Sequence, residues 1–170
     1  MTQPYPVRSA LDDGSGEILK SLVPTFKLCA LQALRAVVRM PVVAASGWMV
    51  WPHFNTSVET GAAVGFAGRS WKCQCVVATP DSVRRSLRPD LELDIWIDGL
   101  GEVANTICGL LQSREEFNSE FGSLVQTPPV GLLEGRIRFP GWAVSGPLVV
   151  EGRGESLFAF GVRRVNETRS

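Results

Sequence analysis

The stretch Asp98-Gly99-Leu100-Gly101-Glu102-Val103-Ala104-Asn105-Thr106-Ile107-Cys108-Gly109-Leu110-Leu111 carries two superimposed patterns. At about 100° per residue, Trp96, Leu100, Val103, Ile107, Leu110 and Leu111 fall within about 60° either side of one direction. Asp98, Glu102, Asn105 and Gly109 fall within about 60° of each other on the opposite side. The spacing predicts a helix from just after Asp90 to Gln112 or Ser113, with one face for a core. The other face presents a carboxylate, a carboxylate, an amide and a residue with no side chain. Solvation alone favours Lys, Glu, Gln or Arg there. Asn is a poor helix former, and a mid-helix Gly costs about 1 kcal/mol relative to Ala. A glycine in that stripe lets another backbone come close.

Upstream of this helix, Phe26, Leu31, Leu34 and Val38 recur at helical spacing. Pro24 suits a first turn and Pro41 a stop, so a helix is expected over Pro24–Arg39. Residues 1–16, with Pro4, Pro6, Asp12, Asp13, Gly14 and Gly16, read as a flexible tail before a single domain over 17–165; residues 166–170 read as a polar C-terminal tail. Val42–Trp51, Gly61–Phe66 and Ser70–Ala78 are rich in β-branched and aromatic residues and read as strands, the last two joined at Ala67-Gly68-Arg69. Thr79-Pro80 opens a short helix over Asp81–Leu87, and Arg114–Phe121 either extends the long helix or forms its own. Leu124–Thr127, Gly135–Phe139, Ala143–Val150 and Ser156–Arg164 are short β-like runs separated by Gly or Pro. The alternation implies an α+β fold, a largely antiparallel sheet with long helices packed on one face.

Composition narrows the function. The chain has 170 residues, 45% hydrophobic, enough for one sizeable core. Lys plus Arg and Asp plus Glu are both 17, and this zero balance argues against a dedicated nucleic-acid or anionic-membrane binder. The one histidine, His53, excludes zinc sites built on several His and reads as a structural or surface residue after Trp51-Pro52. Cys29, Cys73, Cys75 and Cys108 form no Cys-x-x-Cys pair and read as reduced core thiols of a cytosolic protein. No apolar run approaches the roughly 20 residues of a membrane span, and no secretory pattern opens the chain, so a soluble, cytoplasmic protein is expected. Asp94 and Asp98 stand at i, i+4 without further clustered oxygen ligands, so no metal site of its own is expected.

The spacing Asp98-x3-Glu102-x2-Asn105, followed after 22 residues by Pro128, resembles the Asp/Ser-x3-Glu-x2-Asn-x22-Pro signature of the CheC/CheX/FliY phosphatases of bacterial chemotaxis. A chance match of all four positions is on the order of one in tens of thousands per starting point. Gly101-Glu102-Val103-Ala104-Asn105-Thr106-Ile107-Cys108-Gly109 is similar to the family's Gly-Glu-x-x-Asn-x-x-x-Gly helix. Thr127-Pro128-Pro129-Val130 resembles its strand-ending Ser-Pro-Pro segment, Gly135 a glycine that follows it, and Val64-Gly65-Phe66-Ala67-Gly68 the strand and turn that precede its central hairpin. The resemblance covers roughly Leu22 to Arg164, and the single copy of the motif is CheX-like rather than CheC-like. Asp81–Leu87 is abbreviated relative to the family.

The resemblance implies a hydrolase for the aspartyl phosphate of a CheY-like response-regulator receiver domain. It implies no cofactor in this chain, with Mg²⁺ carried by the phosphorylated receiver. Asn105 would orient the attacking water, and Glu102 would engage the receiver's active-site Lys. Asp98, Gly109 and Pro128 would lie against the partner. A neutral amide can donate to or accept from water without repelling phosphoryl oxygens. A carboxylate near a phosphoryl group needs a cation beside it, which favours Lys pairing over general base catalysis for Glu102. A homodimer is the family expectation. The alternative is a non-catalytic receiver-binding or scaffold module of a signalling complex.

Overall fold

The computed structural model describes residues 13–165, so the outer parts of both expected tails lie outside the described residues. The elements in order are α1 (Ser15–Val38), β1 (Val42–Ala44), β2 (Met49–Trp51), β3 (Phe54–Ala67), β4 (Trp71–Thr79), α2 (Asp81–Leu87), α3 (Leu93–Gln112), α4 (Glu115–Phe121), β5 (Val125–Gln126), β6 (Val130–Phe139), β7 (Ala143–Val150) and β8 (Gly154–Arg164). Among the described residues, eight strands form one sheet. Its central order is β7-β8-β4-β3, and every pairing is antiparallel. The 14-residue β3 carries two strands on its far side, β6 along Phe54–Ala63 and β5 at Phe66–Ala67. Strands β1 and β2 both pair with β7 at the opposite edge.

Helices α1, α3 and α4 pack on one face, as expected. Alternation along the strands supplies the other side of that core: Val64, Phe66, Cys73, Cys75, Val77, Phe158 and Phe160 point towards the helices. Phe26 of α1 lies at its centre, 4.9 Å from Phe160 and 5.9 Å from Phe158 between ring centroids. The intervening residues Ala63, Val76, Ala78 and Ala159 join Phe54, Ile137 and Phe139 in a second apolar cluster on the opposite face of the curled sheet.

Three regions depart most from the sequence expectation, each for a tertiary reason. First, α1 begins at Ser15, not Pro24, so Ser15 and Gly16 belong to a helix rather than to a tail. The Asp13 carboxylate accepts from the Ser15 N–H at 2.9 Å, and the Trp142 ring lies where a Cβ of Gly16 would sit within 3.1 Å. Pro24 is exposed inside the helix, where its ring does not meet the core. Second, Val42–Trp51 is two strands. Trp48 lies over Gly146 and donates from Nε1 to the Pro147 carbonyl at 3.3 Å, and Pro147 has no N–H to continue the ladder. Third, β3 starts at Phe54 instead of Gly61 and β6 at Val130 instead of Gly135, because the two strands pair from Phe54↔Phe139 to Ala63↔Val130 and each extends the other.

Helix α1 also corrects the reading that no segment reaches membrane-spanning length. It has 24 residues and a mean hydropathy of 1.3 over its most apolar stretch. Its buried residues Leu19, Leu22, Phe26, Cys29, Ala30, Ala33 and Leu34 account for that apolarity by lining the core.

Candidate functional site

Helix α3 is fixed in rotation by the expected apolar face. Leu100, Val103, Ile107 and Leu111 are buried, with Ala104 and Cys108 beside them; Trp96 and Leu110 are partly buried. Near the start of the helix, the Trp96 indole N–H donates to the hydroxyls of Thr79 (3.1 Å) and Thr60 (3.3 Å), both in the sheet. Asp98, Glu102 and Gly109 are therefore exposed, and Asn105 is half-buried at the edge of the same stripe. At about 1.5 Å rise per residue, Glu102 stands about 6 Å along the axis from Asp98 and about 4.5 Å from Asn105. Neither carboxylate makes a hydrogen bond or ion pair with another described residue. A Cβ on Gly109 would meet nothing within 4 Å, so the stripe ends in open surface.

One flank of α3 lies against the β5–β6 segment. The Gln126 side-chain amide donates from Nε2 to Oδ1 of Asn105. One turn earlier, a Cβ on Gly101 would come within 3.1 Å of Pro129 Cβ; one turn before that, a Cβ on Gly131 would come within 2.6 Å of Ile97. Contact this close needs both glycines. The segment is anchored to the sheet through Thr127. Its N–H donates to the Gly65 carbonyl at 2.9 Å, and its hydroxyl accepts from the Gly65 N–H at 3.0 Å. Gly65 serves this contact, since a Cβ there would lie 3.1 Å from Thr127 Oγ1.

The motif residues thus separate into two groups. Asp98, Glu102 and Asn105 share one surface with Gly109. Pro128 and Pro129 are both exposed, and Pro129 lies beside Gly101 of the helix. Gln126 and Pro129 were missed by the sequence reading. Their signal was position: Gln126 stands two residues before the motif proline. The identity of its partner required the three-dimensional pairing of β5 with the end of β3.

Outside this surface, His53 is exposed and all four cysteines are free and buried, as read from the sequence. Burial pushes the Cys73 thiol up to about 12. Burial, with the Cys75 thiol beside it, pushes Cys108 up as well. Cys73 lies in β4 under the helices and Cys108 on the buried face of α3, and both are poor nucleophiles in this setting.

No family model matches the chain, and no curated protein matches it. Solved structures do. The CheX chemotaxis protein of Desulfovibrio desulfuricans superposes with a TM-score of 0.65 at 19% identity, over 86% of this chain and 99% of that one. CheX of Vibrio vulnificus gives 0.64 at 12% identity, over 84% and 99%. CheX in the CheX–CheY–BeF3–Mg²⁺ complex of Borrelia burgdorferi gives 0.50 at 14% identity, over 83% and 97%. The fold is that of the CheX and CheC-like chemotaxis proteins.

Proposed function

We propose that the chain is a CheX-like phosphatase acting on the aspartyl phosphate of a CheY-like receiver domain. The observation that carries this reading is Asn105, held at its carbonyl oxygen by Gln126, on an exposed stripe with an unpartnered Glu102. The matching fold of a protein crystallised with CheY supports the choice of partner.

The chemistry follows from what each group can offer. An amide oxygen has two lone pairs and the amide nitrogen two N–H donors. Gln126 occupies one lone pair of Asn105 Oδ1 and so directs the NH₂ group away from β5. The remaining lone pair accepts a hydrogen bond from an O–H of a water molecule, leaving the water oxygen's own lone pair free to attack phosphorus in line. The new bond forms from water to phosphorus as the bond from phosphorus to the receiver's carboxylate breaks; the electron pair of that bond stays on the carboxylate, and the water's two protons leave on the inorganic phosphate. A neutral amide does this without adding charge beside the phosphoryl oxygens, so positioning does most of the work. Mg²⁺ belongs to the substrate and neutralises the phosphoryl charge there.

Glu102 pairs with a receiver cation, and Asp98 extends the acidic contact by one turn. Open space at Gly109 lets the partner's backbone approach, and Pro128 stiffens the rim. The substrate class sets the compartment as the cytoplasm. The exposed edge strand β6, with Leu133 and Val130 outward, supports a homodimer; a monomeric mass at micromolar concentration speaks against it.

The test is the phosphoryl lifetime of a phosphorylated receiver with wild type, Asn105→Ala and Glu102→Ala. Wild type shortens the lifetime, Asn105→Ala binds without shortening it, and Glu102→Ala binds less tightly. A wild-type protein that binds the receiver and leaves its lifetime unchanged is the non-catalytic binding module instead.

A further inference from the structure

The other flank of α3 holds a cavity of about 160 Å³ between the last turns of α1, the α2–α3 connection and the ends of β4, β7 and β8. Its walls are mainly apolar, among them Leu34, Leu91, Trp96, Leu100 and Val103. Two hydroxyls line it. That of Thr79 is taken up by Thr60 and by the Trp96 indole N–H. That of Ser156 is buried, in a residue 3% exposed, and has no hydrogen-bond partner among the described residues. Ser156 alternates with Leu157 of the second cluster, so its side chain points to the helical face with Phe158.

Two further features set this space apart from a packing fault. Gly99 lines it, and a Cβ there would meet nothing within 4 Å. A mid-helix glycine weakens α3, and here no neighbour requires it to be small. Val37 and Ile95, which also line the cavity, are among the most exposed large apolar residues, Ile95 at 53%. Water alone fits poorly, because a buried water needs two to four polar partners and one uncommitted hydroxyl is on offer. An apolar body with one polar tip matches every wall.

We propose that this cavity is a binding site for a small neutral molecule, the size of a single six-membered ring, that hydrogen-bonds Ser156 Oγ. The size follows from the volume, since a cavity of about 150 Å³ in another protein takes up benzene. The neutrality follows from the lining: Arg88, its charged member, is exposed and lies 3.6 Å from Asp90, which balances it. The site is separate from the Asp98–Asn105 stripe and stands whether or not that stripe is catalytic.

The test titrates the full chain with phenol and with benzene, following backbone amide shifts by NMR. Phenol saturates shifts at Leu34, Gly99, Val103 and Ser156 with a Kd on the order of 1 mM. Benzene binds about fivefold more weakly for want of the hydrogen bond. Ser156→Ala removes that preference and leaves benzene binding in place. Gly99→Leu fills the space and abolishes both, while a raised Tm reports that it folds. The proposal is overturned by the absence of saturable shifts at the lining residues, by equal affinities of the two probes for wild type, or by undiminished binding in Gly99→Leu.

Discussion

On the flank of α3 facing β5 and β6, glycine brings chains together: Gly101 against Pro129, and Gly131 against Ile97. On the flank facing α1, Gly99 leaves a gap that nothing enters. The same residue type, two positions apart on one helix, does opposite things. On the first flank the missing side chain sets the distance at which Gln126 reaches Asn105. On the second it creates volume. A glycine in a helix is thus uninformative until its neighbours are known, because the backbone cost is the same in both cases and the gain lies in what fills the space.

This contrast can be broken by substitution. The largest effect belongs to the stripe itself: Asn105→Ala lowers the rate of receiver dephosphorylation on the order of 100-fold, as loss of a positioning group does. Receiver affinity and Tm stay near wild type, because Asn105 is outside the core. Gln126→Leu tests the tight flank's contribution. It removes the donor to Oδ1 and lowers kcat about tenfold with KM unchanged, the amount expected for one charge-neutral hydrogen bond that orients a reacting group. A change in KM alone would instead mark Gln126 as a docking residue.

Stability separates the two glycines. Gly101→Leu forces a side chain into Pro129 and destabilises by about 1–3 kcal/mol, read as a lower denaturant midpoint. Gly99→Ala enters open space and improves helix propensity, stabilising by about 1 kcal/mol. If both substitutions shift the midpoint in the same direction, the difference between the flanks is not real. The smallest effect concerns the thiols at the seam between α3 and the sheet. At pH 8 Cys73 and Cys108 are protonated and buried, so iodoacetamide labels them, by mass spectrometry, only as fast as the chain opens. Rapid labelling in the folded state would show that α3 sits less firmly on β4 than its packing implies.

Much of the architecture was legible from local patterns. Asp81–Leu87 and Ala143–Val150 match their expected limits, because a Pro-Asp start and an apolar run bounded by Pro140-Gly141 and Glu151-Gly152 act within a few positions. Where distant residues intervene, the local reading fails. Pro24 looked like a start but lies inside α1, since Trp142, more than a hundred residues away, packs on Gly16 and steadies the earlier turns. Val42–Trp51 looked like one strand but is interrupted by the fit of Trp48 over Gly146 and Pro147.

The candidate site divides in the same way. The 3.6-residue period places Asp98, Glu102, Asn105 and Gly109 on one face without reference to the rest of the chain, because a helix's geometry is local and the apolar residues opposite dictate which side is buried. That Asn105 meets Gln126, that Pro129 lies against Gly101, and that Ser156 has no hydrogen-bond partner among the described residues depend on how β3 brings β5 and β6 beside α3 and how α1 stops short of it. Those are distances between segments remote in sequence. Packing decides them, and no local period encodes it.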